Sequence, residues 1–180
     1  MEVGGNPQNG LSLIEVLLSV FLSALLMAAV LPMVNHFFQL SYQEKRQMES
    51  RQAARFAMDY MVRQMRYTSY VYLPVENGSK SGIANFQAPD INNPTGEMAK
   101  KKSIIFLLGN SQGENKNTIY RSVPGTSQPL TEETVANLSF SRNPLSPREI
   151  TIEFDILDKN SKKVVGHLRT TVLCLNLVQS

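Results

Sequence analysis

The chain has a single cysteine and two histidines among its 180 residues, so it has few of the residues on which metal and redox sites depend. One cysteine excludes an intrachain disulfide and a cysteine-based zinc site. Cys174 lies in a mainly apolar stretch, which predicts a buried, unreactive thiol. His36 and His167 are far apart in sequence, and neither belongs to a cluster with metal-ligand spacing. The sequence therefore predicts no catalytic residue, no metal ligand and no cofactor.

The chain also has only a small excess of positive over negative charge. The 18 basic and 15 acidic residues give a net charge of +3. They are interleaved rather than grouped, so nucleic acid is not needed as a partner to explain them. Lys100–Lys102 is a run of three lysines without interleaved aromatic or arginine residues, which is typical of a solvated loop.

Charge is almost absent from Leu11–Val34, whose one ionisable side chain is Glu15. Twenty-four helical residues extend roughly 36 Å, and the hydrocarbon core of a bilayer is about 30 Å thick. Residues 11–34 are therefore predicted to be a transmembrane helix in contact with lipid. A cleaved secretory signal fits less well, because residues 1–10 contain no Lys or Arg and the apolar run is too long. A plain anchor leaves Glu15 unexplained, since a carboxylate near hydrocarbon is costly.

The helix is predicted to continue through residues 35–69. Pro32 should bend it or melt it locally, because proline removes one backbone hydrogen bond. Gln39–Tyr67 contains neither Gly nor Pro. Within that range apolar residues recur at spacings of three and four, which predicts one buried stripe: Ala54, Ala57, Met58, Met61 and Met65.

Residues 70–180 are predicted to form an antiparallel sheet domain, because the apolar period changes to that of strands. Ile150, Ile152, Phe154 and Ile156 alternate with polar residues, and Asp158–Lys163 should turn the chain into the last strand. Pro74–Lys102 is rich in Pro, Gly and Asn and should include a long irregular connection. The predicted strands are 70–73, 83–87, 103–108, 118–123, 135–141, 149–157 and 164–178. The fold class is therefore α+β, a long helix followed by a sheet.

The segment Gly10-Leu-Ser-Leu-Ile-Glu15, followed at once by the apolar helix, resembles the processing site of type IV pilins and type II secretion pseudopilins. The resemblance implies that residues 1–10 are a leader, that a prepilin peptidase cuts after Gly10, and that Leu11 becomes the methylated N-terminus. It also assigns Glu15 to subunit assembly and Pro32 to a helix bend. Two features depart from the family pattern: Leu11 stands where Phe is commonest, and the leader lacks Lys or Arg.

The resemblance implies further partners, namely other minor and major pilins or pseudopilins and the inner-membrane platform of the assembly machine. It places the sheet domain outside the cytoplasm, because the peptidase acts from the cytoplasmic side. Lys45, Arg46 and Arg51 follow the span, and the positive-inside rule alone would give the opposite orientation. The processing motif favours the outside location.

A second resemblance concerns the helix of J-type minor pseudopilins and W-type minor pilins. Residues 51–66 are similar to it and end in an Asp-x-x-x-Arg-x-x-Arg pattern, formed by Asp59, Arg63 and Arg66. The segment Leu168–Asn176 is similar to the closing strand of those proteins. This resemblance implies a structural subunit near the tip of a filament or in the initiation of its assembly.

Two alternatives stay open from sequence. The chain could instead be an adhesin or DNA-capture pilin whose Pro74–Lys102 loop contacts an external ligand. Asp155, Asp158 and Asn160 could hold calcium in a turn, although such residues are usual turn formers. A membrane-anchored enzyme is a more distant candidate.

Overall fold

The computed structural model describes residues 12–88, 102–109 and 115–177. By its internal contacts the chain divides into one unit that ends at Glu44 and a second that begins at Lys45. Helix α1 extends over Leu13–Arg66 and is unbroken through Pro32. The helix is therefore not melted at Pro32, and a bend there stays a prediction.

The second unit is built around the buried stripe of α1. Ala54, Ala57, Met61 and Met65 have no exposed surface, and Met58 is 6% exposed. This confirms the stripe that the spacing predicts. Arg63, on the opposite face, donates from Nε to the backbone carbonyl oxygen of Asp59 at 3.4 Å.

Two antiparallel sheets pack with this stripe, where the sequence predicts one sheet. The first has the order β1–β2–β3–β4–β5, with strands Tyr70–Leu73, Ile83–Ala88, Lys102–Leu108, Ile119–Val123 and Thr126–Pro129. The second has the order β6–β7–β8, with strands Val135–Asn143, Ser146–Leu157 and Val164–Leu173. The α+β class is confirmed, and the domain contains one strand more than predicted.

The strand that was not predicted is β5, and its sequence explains why it was not. Thr126-Ser-Gln-Pro129 contains no alternating apolar residues, and all four residues are exposed. The strand forms because a tight turn returns the chain along β4, with Val123 opposite Thr126. Gly125 adopts a φ of 86° in that turn, a backbone conformation that favours glycine.

The core joins both sheets to the helix. Its largest fully buried side chains include Phe86 and Phe106 from the first sheet and Phe140 and Phe154 from the second. Ser81 and Phe140 exchange two backbone hydrogen bonds of 2.8 Å, which join the segment before β2 to β6. Along β7 the predicted alternation is confirmed, since Ile150, Ile152, Phe154 and Ile156 are buried and the residues between them are partly exposed.

The β7–β8 hairpin is also confirmed, with Glu153 opposite Arg169 and Asp155 opposite His167. The last strand ends at Leu173 rather than at the predicted residue 178. After it, the backbone N–H of Leu175 donates to the carbonyl oxygen of Arg66 at 2.8 Å. The chain therefore returns to the end of α1.

Candidate functional site: the start of the N-terminal helix

The start of α1 is fixed by a reciprocal set of hydrogen bonds between two residues. The carbonyl oxygen of Ser12 accepts from the backbone N–H groups of Glu15 at 2.9 Å and Val16 at 3.2 Å. In return, the backbone N–H of Ser12 donates to Oε2 of Glu15 at 3.0 Å. The Glu15 carboxylate thus satisfies a donor that a helix start otherwise leaves unpaired. It provides the acidic half of a capping box.

The sequence analysis did not predict that Glu15 caps the start of α1. The signal that could have revealed it is the spacing Ser12-x-x-Glu15 immediately before an apolar run. A carboxylate at this position is also stabilised by the positive end of the helix dipole. Glu15 therefore has a local structural role in addition to the assembly role that the resemblance assigns to it.

The other predicted site residues lie on either side of this start. Gly10 and Leu11, the residues of the predicted cleavage bond, lie outside the described residues. Pro32 lies inside α1, where it has no N–H to donate to the carbonyl of Ala28. Pro32 lies 17 positions after Glu15 in the same helix, and the predicted cleavage site stays a prediction.

The apolar part of α1 exposes nearly all of its side chains. The large apolar residues from Leu13 to Leu40 are between 41% and 81% exposed. Within the described residues, α1 contains an apolar window long enough to cross a membrane, and none of that window is buried. A lipid environment would remove this surface from water. The segment thus fits a membrane anchor by both length and exposure.

The turn that was considered as a calcium site is held together by hydrogen bonds to Asp158. Asp158 Oδ1 accepts from the backbone N–H groups of Asn160 at 3.1 Å and Ser161 at 2.7 Å, and from the Ser161 hydroxyl at 2.9 Å. These bonds, that of the Ser161 backbone first, lower the pKa of Asp158. This oxygen therefore stabilises the turn by accepting its hydrogen bonds. Asp155 contacts His167 and Asn137. Among the described residues, no group of three or more His, Cys, Asp or Glu side chains is placed to hold a metal ion.

Cys174 has the environment that its sequence predicts. Its side chain is fully buried, and burial raises the pKa of the thiol to about 11. A thiol with such a pKa is protonated at neutral pH and therefore a poor nucleophile. The prediction that the thiol is buried is confirmed.

Sequence reasoning missed one motif, Gly109-Asn-Ser-Gln-Gly113, which has the spacing Gly-x-Ser-x-Gly. In hydrolases this motif joins a strand to a helix and exposes the serine at the turn. Here it lies between β3 and β4, which are antiparallel neighbours in one sheet. Residues 110–114 are outside the described part of the chain. The flanking topology is that of a hairpin connection and differs from the one that the hydrolase motif requires.

Residues 5–31 match the family described as the prokaryotic N-terminal methylation motif. The matched range includes the Gly10–Leu11 bond, Glu15 and most of the predicted membrane span. No curated protein and no solved structure matches the chain. The match supports a pilin-type chain that a prepilin peptidase processes. Because it ends at residue 31, the J-type or W-type subclass stays a prediction.

Proposed function

We propose that this chain is a minor pilin or pseudopilin, a structural and non-enzymatic subunit of a type IV pilus or a type II secretion pseudopilus. The observation that carries the proposal is the methylation-motif match over residues 5–31, which overlaps an apolar helical window that is not buried among the described residues. The residues from Lys45 onward form a unit with its own core. An anchor joined to a separate folded domain is what a filament subunit needs.

The first step of the proposed pathway is processing. A prepilin peptidase cleaves after Gly10, and Leu11 becomes the methylated N-terminus. Because that peptidase acts from the cytoplasmic side, the sheet domain lies outside the cytoplasm. The membrane platform of the assembly machine then receives the processed chain.

The second step is assembly, and here Glu15 carries the chemistry. Among the described residues, the hydrogen bond given to its carboxylate is the one from the Ser12 backbone N–H. One neutral donor compensates only part of the cost of a carboxylate near hydrocarbon. The α-ammonium group of a neighbouring processed chain compensates more, because opposite charges attract strongly where the dielectric constant is low. The pairing therefore favours departure from the bilayer into a filament.

The J-type or W-type resemblance of residues 51–66 supports a position near the tip or a role in initiation. A subunit of that kind is needed in few copies, and its loss should remove the filament. An adhesin or DNA-capture subunit behaves differently, because its deletion leaves filaments intact and abolishes adhesion or uptake. Filament counts by electron microscopy in a deletion strain distinguish the two functions.

Processing and assembly are tested together by isolating the chain from cells with and without the prepilin peptidase. We expect the processed chain to co-purify with other proteins that carry the methylation motif. Without the peptidase, the unprocessed chain should accumulate in the membrane and co-purify with none of them. Equal association in both strains would contradict the proposal.

A further inference from the structure

The loop between β1 and β2 contains an asparagine followed by a glycine, Asn77-Gly78, and both residues are exposed. The sequence has one other such pair, Asn9-Gly10, which belongs to the predicted leader. Gly78 has a φ of 76°, a backbone conformation that favours glycine. Because glycine has no side chain, the backbone nitrogen that joins the two residues is not shielded. The pair therefore allows the asparagine side chain to approach that nitrogen.

A hydrogen bond folds the Asn77 side chain over the backbone that follows it. Its Oδ1 accepts from the backbone N–H of Ser79 at 2.9 Å, which is the arrangement of an Asx-turn. The ring that this bond closes contains Cγ of Asn77 and the backbone nitrogen of Gly78, so the turn holds the two atoms near each other. The Gly78 N–H donates no hydrogen bond to another described residue. Its nitrogen can therefore react without first breaking such a bond.

The same hydrogen bond activates the side-chain carbonyl of Asn77. A donor on Oδ1 draws electron density away from Cγ, and it stabilises the negative charge that develops on the oxygen when a nucleophile adds to Cγ. The donor is a backbone N–H that the turn already holds in place. The loop thus combines a nucleophile, an electrophilic carbon and a hydrogen-bond donor for the oxyanion.

We infer that Asn77 is a site of spontaneous deamidation in the folded domain. The Gly78 nitrogen loses its proton and forms a bond to Cγ of Asn77. The Cγ–Nδ2 bond then breaks, and Nδ2 takes up a proton and leaves as ammonia, which gives a succinimide ring. Water opens this ring at Cγ to give aspartate, or at the backbone carbonyl of residue 77 to give isoaspartate. The overall reaction consumes one water, releases one ammonia and needs no oxidant or cofactor.

The pair Asn160-Ser161, in the turn between β7 and β8, provides a comparison within the same chain. The nitrogen that would attack there belongs to Ser161, and its N–H donates to Oδ1 of Asp158 at 2.7 Å. This bond opposes loss of the proton. A hydrogen bond to a charged group is strong enough to slow a reaction that must break it by about tenfold or more. The fold should therefore protect Asn160 and leave Asn77 reactive.

Deamidation would change both the charge and the backbone of the β1–β2 loop. The new carboxylate follows Glu76, whose Oε1 lies 2.6 Å from Nη2 of Arg142. Isoaspartate also adds one carbon atom to the main chain, a few residues before Ser81, which exchanges hydrogen bonds with Phe140. The chain would thus acquire with age a second form that differs in an exposed loop. This inference concerns the sheet domain alone and does not depend on the proposed function.

The test incubates the full chain in detergent solution at neutral pH, in one sample folded and in another unfolded by urea. Peptide mapping by mass spectrometry measures the loss of the amide at Asn77 and at Asn160, and enzymatic methylation specific for isoaspartate identifies that product. In the folded chain Asn77 should deamidate faster than Asn160 by about tenfold or more. Unfolding should accelerate the reaction at Asn160 by a similar factor and change the rate at Asn77 little. The ratio of folded to unfolded rates isolates the effect of the fold from that of the neighbouring residue.

The matched variant is Asn77→Gln, which keeps an amide but places it one methylene further from the backbone, so that the five-membered ring cannot form. It should remove the isoaspartate signal from this peptide. Persistence of the signal in the variant would overturn the inference. So would an amide at Asn77 that outlasts the amide at Asn160, or an acceleration by urea that is as large at Asn77 as at Asn160.

Discussion

The Ser12 backbone N–H lies 3.0 Å from Oε2 of Glu15, so the carboxylate is turned toward the N-terminal end of its own helix. Two explanations for an acidic residue at this position therefore exist, helix capping and charge pairing with a neighbouring chain. Glutamine can replace glutamate in a capping box, because its amide oxygen also accepts a hydrogen bond. Only glutamate can supply the negative charge.

This difference allows a direct comparison of Glu15→Gln and Glu15→Leu. If charge pairing assembles the filament, both variants should insert and be cleaved, and both should be incorporated poorly. The measurement is co-purification of each processed chain with sister pilins, with the native chain as reference. Native-like recovery of Glu15→Gln would show that capping is sufficient. Native-like recovery of both variants would show that Glu15 has no part in assembly.

The domain beyond the apolar segment should fold without it. A chain that starts near Leu40 retains the buried stripe, every strand and the core that joins them. We expect a soluble protein with mixed helix and strand in its circular dichroism spectrum and a cooperative unfolding transition. An aggregated or unfolded product at good expression would show that the sheets need a partner to be stable.

The buried stripe should carry a large part of the stability of that domain. Met61 is fully buried, so Met61→Ala should lower the free energy of unfolding by about 2–5 kcal/mol. Met48 lies on the same helix but is 62% exposed, so Met48→Ala should change it by less than about 0.5 kcal/mol. Urea titrations of the soluble domain measure both. A similar loss from both variants would contradict the assigned packing of α1.

The carboxylate of Asp155 should make stability depend on acid. The His167 ring nitrogen at 2.8 Å, and then the Asn137 amide at 2.7 Å, lower the pKa of Asp155 below its ordinary value of 3.8. A lowered folded-state pKa stabilises the fold above the ordinary value, and this contribution is lost as the pH falls through the folded-state pKa. Asp155→Asn should therefore lower the melting temperature at pH 7, and the difference should shrink below about pH 3.8.

The control for that experiment is Asp59→Asn, at an exposed helix position. It should leave the melting temperature nearly unchanged at pH 7 and at pH 3. If the effect of Asp155→Asn is the same at pH 7 and pH 3, its origin is packing and not the ionised carboxylate.

Where one apolar period governs a segment, the sequence predicted the fold well. The stripe from Ala54 to Met65 and the alternation from Ile150 to Ile156 both concern side chains that must leave water, and burial enforces their pattern. The polar strand Thr126–Pro129 has no such pattern, because its place in the sheet depends on backbone pairing with β4. The bridge between Ser81 and Phe140 is a long-range contact with no local signal, so it could not be predicted either.

The candidate site likewise has features that can be predicted from local sequence, whereas long-range contacts of the chain cannot. Glu15 stood out in sequence because it interrupts an apolar run, and the family match covers it. Its hydrogen bond with Ser12 is local and could have been inferred from spacing. The backbone contact between Leu175 and Arg66 could not, because it depends on the return of the chain to the end of α1 after β8. Sequence separation hides such contacts until the topology is known.

The mass and sequence of the mature N-terminus decide whether the chain is a processed pilin-type subunit. The protein is extracted from the membranes of its native cells and analysed by N-terminal sequencing and intact mass spectrometry. We expect a chain that begins at Leu11 and carries one added methyl group on its α-amino nitrogen. A chain that retains Met1, or one that begins after Ala29 at the far side of the apolar run, would contradict it.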